Sequence, residues 1–130
     1  MQIVRQSIAV AKPEGTKVAY YIFPEYEIHY NELPPNSVQP WHHHSVIEET
    51  IFVVAGEIEV RWLEHSTIVT EKVHHGDIVR VEDTPHTLAN LSDNAATFLV
   101  VRLVLSGKSN DEIIRADKHL DIIPQGGNHQ

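Results

Sequence analysis

Apolar and polar positions alternate with a period of two along most of the chain. Tyr26, Ile28 and Tyr30 alternate with Glu27, His29 and Asn31, and Ile58, Val60 and Trp62 alternate with Glu57, Glu59 and Arg61. Successive side chains of a strand point to opposite faces, so each segment predicts a strand with one wet and one dry side. Residues 51–55 form a continuous apolar run, which predicts a buried strand, and Gly56 behind it marks a bend or a close backbone approach. Further strands are predicted over 3–10, 16–23, 67–73, 78–81, 86–91 and 95–105. They are separated by turn-forming residues at 12–15, 34–36, 64–66, 75–77 and 92–94.

Short strands at this spacing predict an all-β sandwich or barrel, and the lack of intervening helical patterns excludes a parallel α/β sheet. One helix is expected after Gly107, over 109–118. Ser109 and Glu112 make its capping box, and Ile113, Ile114 and Leu120 its apolar stripe. The last five residues, 126–130, are expected to be loose.

Composition narrows the chemistry. A chain of 130 residues with 42% hydrophobic content is sized for one domain with its own core. No apolar run approaches the roughly 20 residues of a membrane helix, and the first residues lack a signal-peptide pattern, so the cytoplasm is the expected location. Cysteine is absent. That removes disulfides, thiolate metal sites and cysteine nucleophiles, so any bound metal must use nitrogen and oxygen ligands. The net charge of −8, with Arg5, Arg61, Arg80 and Arg102 scattered, argues against a nucleic-acid partner. Histidine is the outlier, at ten residues.

The histidines are informative by position. In the segment Trp41-His-His-His-Ser-Val-Ile-Glu-Glu-Thr50, strand geometry sends His42 and His44 to one side and His43 to the other. Glu49 opens the next strand and can fold back as a third ligand, and His86 begins a strand some forty residues later. Different strands of a closed barrel can aim such residues inward at one point. Three imidazoles and a carboxylate suit one divalent Fe, Mn, Ni, Zn or Cu ion and leave positions open for water or substrate. A run of solvated histidines is the competing reading, and the joint spacing of all four disfavours it.

The spacing His42-x-His44-x4-Glu49-x6-Gly56 resembles the first motif of the cupin superfamily, and Gly76-Asp77 followed by His86-x3-Asn90 resembles the second. The resemblance spans about residues 26–104. It implies a jelly roll, or double-stranded β-helix, with the barrel at about 26–105, the N-terminal strands at 1–25 and a helix and tail at 106–130, all in one domain. It also implies His42, His44, Glu49 and His86 as metal ligands inside the barrel. Two departures stand out. Asn36 occupies the position where the first motif usually begins with Gly, and Val81 to Asp83 replace a Pro-x-Gly turn ahead of the last histidine. Both fall in turns, so altered loops are expected rather than a lost site.

Other residues are weighed individually. Glu48 competes with Glu49, but only Glu49 keeps the gap to Gly56. His43 is expected on the outer face, where it could contact a second subunit, and His65, His74, His75, His119 and His129 on the surface. His29 points outward by alternation, yet a strand residue beside a barrel can line a pocket. Asn90, on the same side as His86, is a candidate to support the ligands. Trp41, Phe52, Trp62 and Phe98 are expected in the core. Arg80 or Arg102, if either turned inward, would read as a carboxylate anchor beside the metal.

The resemblance implies a metal-dependent enzyme, a dioxygenase, isomerase or lyase acting on a small carboxylate or diketone-like molecule. His29, Tyr30 and Gln39 are the candidates to move a proton. The alternative is a non-catalytic sensing or metal-stabilised binding module; the predicted helix at 109–118 is too little for a DNA-binding regulator. A metal-free epimerase-like barrel would leave the four-residue spacing unexplained. The expected partners are a small molecule in the barrel and a second copy in a homodimer, paired through the N-terminal strands, with neither nucleic acid nor membrane.

Overall fold

The structure is a computed structural model and describes residues 1–104 and 119–121. It contains β1 (Ile8–Ala11), β2 (Lys17–Ile22), β3 (Tyr26–Leu33), β4 (Ser37–Val38), β5 (His42–His43), β6 (Ile47–Ala55), β7 (Ile58–Glu64), β8 (Thr67–Val73), β9 (Ile78–Arg80), β10 (His86–Asn90), β11 (Ala96–Val104) and β12 (His119–Leu120). The strands form two antiparallel sheets, β1-β2-β3-β11-β6-β9 and β12-β5-β10-β7-β8, with β4 also paired to β10. The chain crosses repeatedly between the sheets, which gives the jelly-roll barrel that the family resemblance implies. Leu33, Ile51, Val53, Ile58, Val60, Leu88, Ala96, Phe98 and Val100 fill one continuous core between the sheets.

Turn chemistry accounts for several connections. His65 and Ser66 both have positive φ, 50° and 65°, and join β7 to β8 as a two-residue hairpin with Glu64 opposite Thr67. Gly56, at φ 83°, links β6 to β7 where a Cβ would lie 2.9 Å from the Ala96 Cα and 3.0 Å from the Ala95 carbonyl oxygen. Only glycine fits there. Both departures from the family pattern also fall at left-handed backbone: Asn36 has φ 53° and Glu82 φ 58°. The turns therefore keep a conformation that glycine would favour, using side chains that tolerate it less well.

Five expectations change. Residues 1–7 carry no strand pairing, so the first strand begins at Ile8 instead of residue 3. In β3 the two faces are reversed. Glu27, His29, Asn31 and Leu33 are buried, whereas Tyr30 is 42% exposed. The physical reason is that this part of the barrel interior is polar, so the polar set of the alternation faces inward. Phe52 lies on the outer side of β6 between buried Ile51 and Val53, and Arg61, expected on a wet face, is buried with its Nε donating to Glu59 Oε2 at 2.6 Å. Leu120, placed by pattern in a helical stripe, lies in β12 and pairs with His42. The helix expected at 109–118, with its capping box, the tail at 126–130 and His129 lie outside the described residues. No helix among the described residues is long and apolar enough to cross a membrane.

Candidate metal centre

The site forms where both sheets contribute inward side chains at the same level. His42 lies in β5, His44 just beyond it, and His86 opens β10 directly across from His42. Glu49 comes from β6 on the opposite sheet. All four are buried, and one ligand atom from each lies within 4.8 Å of the others. The His42 and His86 rings have centroids 4.3 Å apart, and His44 lies 5.2 and 5.8 Å from them.

Two of the rings are set in a defined tautomer. His42 Nδ1 is 2.9 Å from the Pro40 carbonyl oxygen, and His86 Nδ1 is 2.8 Å from that of Thr84. A carbonyl oxygen only accepts, so each Nδ1 carries the proton and donates it, leaving the Nε2 lone pair for a cation. In both cases the carbonyl belongs to the residue two positions earlier. Glu49 supplies the negative charge. Its Oε2 is 3.1 Å from His44 Nε2 and its Oε1 is 3.7 Å from His86 Nε2. Burial pushes its carboxyl upward, but the Arg102 guanidinium, together with the neighbouring His44 and His86 rings, outweighs burial and holds it well below the usual carboxylate range. Buried lone pairs of three imidazoles and one carboxylate converging on one point fit a divalent transition ion.

The neighbours resolve the questions that alternation left open. Glu49 faces inward, while Glu48 faces outward and pairs with the exposed Arg80. Arg102 faces inward: its Nε donates to Glu49 Oε2 at 2.6 Å. Across β3, β11 and β6, Arg102 is in register with Glu27 on one side and Glu49 on the other, so the inner face carries an acid–base–acid row. His29 lies one inward position along. Its Nε2 is 2.7 Å from Glu27 Oε1, and Tyr20 meets its ring edge-on at 4.3 Å. Burial lowers the pKa of His29; the Glu27 hydrogen bond offsets only part of this.

A cavity of about 480 Å³ leads from the centre, with Arg102, His29, Gln39 and Asn31 among its polar lining. A second, of about 390 Å³, shares Ile51, His86 and Leu88 with it. Of the proton-moving candidates, His29 and Gln39 border the first cavity; Tyr30 points away from it, because β3 is reversed. His43 faces outward as expected, but within this chain it meets Asp121, Nδ1 to both carboxylate oxygens at 2.9 Å, and stacks on His119 at 4.8 Å. Asn90 does not touch the ligands. It binds the Leu33 and Asn94 carbonyls and accepts from Ser92, so it braces the turn before β11. Glu27 and Asn31 were not singled out from sequence. Their two-residue spacing from His29 was the available signal, and it became decisive only once the face of β3 was known.

Residues 29–102, over half of the chain, match the family described as the cupin domain. No curated protein matches the chain. Among solved structures, the polyketide cyclase RemF from Streptomyces resistomycificus superposes with a TM-score of 0.69 at 20% identity, covering 96% of this chain and 88% of that one. A sugar phosphate isomerase of the cupin superfamily from Silicibacter pomeroyi gives a TM-score of 0.62 at 18% identity, over 77% and 71% of the two chains. A mutant of oxalate decarboxylase from Bacillus subtilis gives 0.70 at 16% identity over 88% of this chain, which spans only 30% of that enzyme. At such identities the likeness is one of fold.

Proposed function

The chain belongs to the cupin family, and on that basis we propose that it is a metal-dependent enzyme acting on a small oxygen-bearing organic molecule bound at the metal. His42, His44, Glu49 and His86 hold one divalent ion, and a carboxylate or diketone-like substrate takes the open positions. The single observation that carries this reading is the convergence of the four buried ligand atoms within 4.8 Å at the end of a cavity that also exposes Arg102 and His29. Oxalate, sugar phosphate and polyketide appear in the names of the fold's neighbours, and all offer oxygen donors to a cation.

When bound, the ion supplies Lewis acidity, and with iron it supplies access to dioxygen chemistry. The chain's own residues do the rest. Arg102, tied to Glu49, presents its guanidinium to an anionic group in the cavity. His29, held at Nε2 by Glu27 and kept neutral by burial, is suited to take a proton from substrate and return it.

The test uses protein loaded separately with Fe(II), Mn(II), Ni(II), Zn(II) and Cu(II) and a panel of small carboxylates and diketones. Oxygen uptake and product formation are followed. Turnover with at least one metal, lost in the Arg102→Leu variant, is expected. Binding without turnover for every metal would favour the sensing module.

The same reading takes the chain as a homodimer. β1 is an edge strand paired only with β2 among the described residues, and Ile8 on it is 54% exposed. Sedimentation at micromolar concentration is expected to give twice the chain mass; a monomer mass contradicts it.

A further inference from the structure

The cavity is longer than a small chelating acid needs. Along β3 the inward positions run Glu27, His29, Asn31. In register with them on β11 are Arg102, Val100 and Phe98, and on β6 Glu49, Ile51 and Val53. At about 3.3 Å per residue, the Asn31 level lies roughly 13 Å along the strand from the Glu49 level. Between them the cavity walls are largely hydrocarbon, from Val18, Ile51, Leu88, Phe98 and Val100, with His29 the polar group at the middle level and Gln39 also on the lining.

Asn31 ends this apolar stretch. It is 5% exposed, it borders the cavity, and its Nδ2 is buried without a hydrogen-bond partner. Its neighbours in register are Val18 and Phe98, neither of which has a side-chain acceptor. A buried amide donor is destabilising when unmet, so a position of this kind is satisfied by what enters the cavity.

We propose that Asn31 is the far end of the substrate site, and that the substrate is an elongated molecule with a mainly hydrocarbon body and an oxygen function at each end. One end is a carboxylate or carbonyl at the metal and Arg102. The other is a hydroxyl or carbonyl oxygen, roughly 10 Å away, that accepts from Asn31 Nδ2. Asn31 then sets specificity by length and by the distal group, without taking part in the chemistry. The inference rests on the metal-site reading above and extends it to the class of substrate.

The test is calorimetric titration of zinc-loaded protein with biphenyl-4-carboxylate, 4′-hydroxybiphenyl-4-carboxylate and the shorter 4-hydroxybenzoate. The distal hydroxyl is expected to tighten binding about tenfold in the wild type, the worth of one hydrogen bond. In Asn31→Leu and Asn31→Ala that gain, read as the affinity ratio of the two biphenyl acids, vanishes, while 4-hydroxybenzoate, too short to reach residue 31, binds as in the wild type. Any outcome in which the hydroxyl brings no Asn31-dependent gain overturns the proposal, including one in which ordered water alone answers the amide. Failure of the underlying reading looks different: zinc does not load, or carboxylate binding is the same with and without zinc.

Discussion

His29 is buried neutral, because desolvation outweighs the pull of Glu27 on its proton. Its pKa in the folded chain lies below the ordinary 6.5, so between those values the unfolded chain binds more protons and stability falls as the pH drops. Thermal melting followed from pH 7 downward is expected to show this loss beginning near 6.5, and His29→Gln to flatten it; an unchanged slope would remove His29 as its source. Asn31 makes a second residue-scale test. Removing an unmet buried amide is expected to stabilise the metal-free protein by about 1 kcal/mol in Asn31→Leu, read from chemical denaturation. A clear loss of stability would mean that the amide has a structural partner. The four clustered side chains were legible in sequence because their spacing is itself the pattern. Arg102 was not, since alternation gives two faces and no sign of which is inside, and Tyr30 was misjudged for the same reason.

At the scale of elements, strand existence was readable where alternation ran for six residues, as in β3 and β7, or where a long apolar run lay between turns, as in β11. It was not readable for β5 and β12, which are two residues each and exist because they pair with each other and with β10. β3 shows the limit of hydrophobic patterning near a site: with charged and polar groups concentrated inside the barrel, the apolar set goes outward. Gly56 ties β6, β7 and β11 together at one close approach, so Gly56→Ala combines an unfavourable φ with a backbone clash. A destabilisation of about 2 kcal/mol or more is expected from denaturant titration, and a neutral result would mean that the approach is loose. β12 is held beside the ligands by Asp121, whose amide donates to the Trp41 carbonyl and whose carboxylate meets His43. Leu120 borders the cavity. Asp121→Ala is therefore expected to leave stability within about 1 kcal/mol, because the His43 pair is partly exposed, yet to speed metal extraction by a chelator. An extraction rate equal to that of the wild type would show that β12 does not restrict access.

For the whole molecule, two sheets of a jelly roll bring together candidate ligands that lie up to forty-four positions apart in sequence, at a level where the interior changes from hydrocarbon to charge. Placing three imidazoles, two carboxylates and a guanidinium there opposes folding unless their interactions compensate for desolvation. A bound cation would do so, and at a hundredfold excess over its dissociation constant it would add about 2.7 kcal/mol to stability. The most direct test of that account is the metal content of purified protein, by elemental mass spectrometry, for the wild type, His86→Gln and His43→Gln. One ion per chain is predicted for the wild type and for the outward-facing His43→Gln, and almost none for His86→Gln. Equal occupancy in His86→Gln would contradict it.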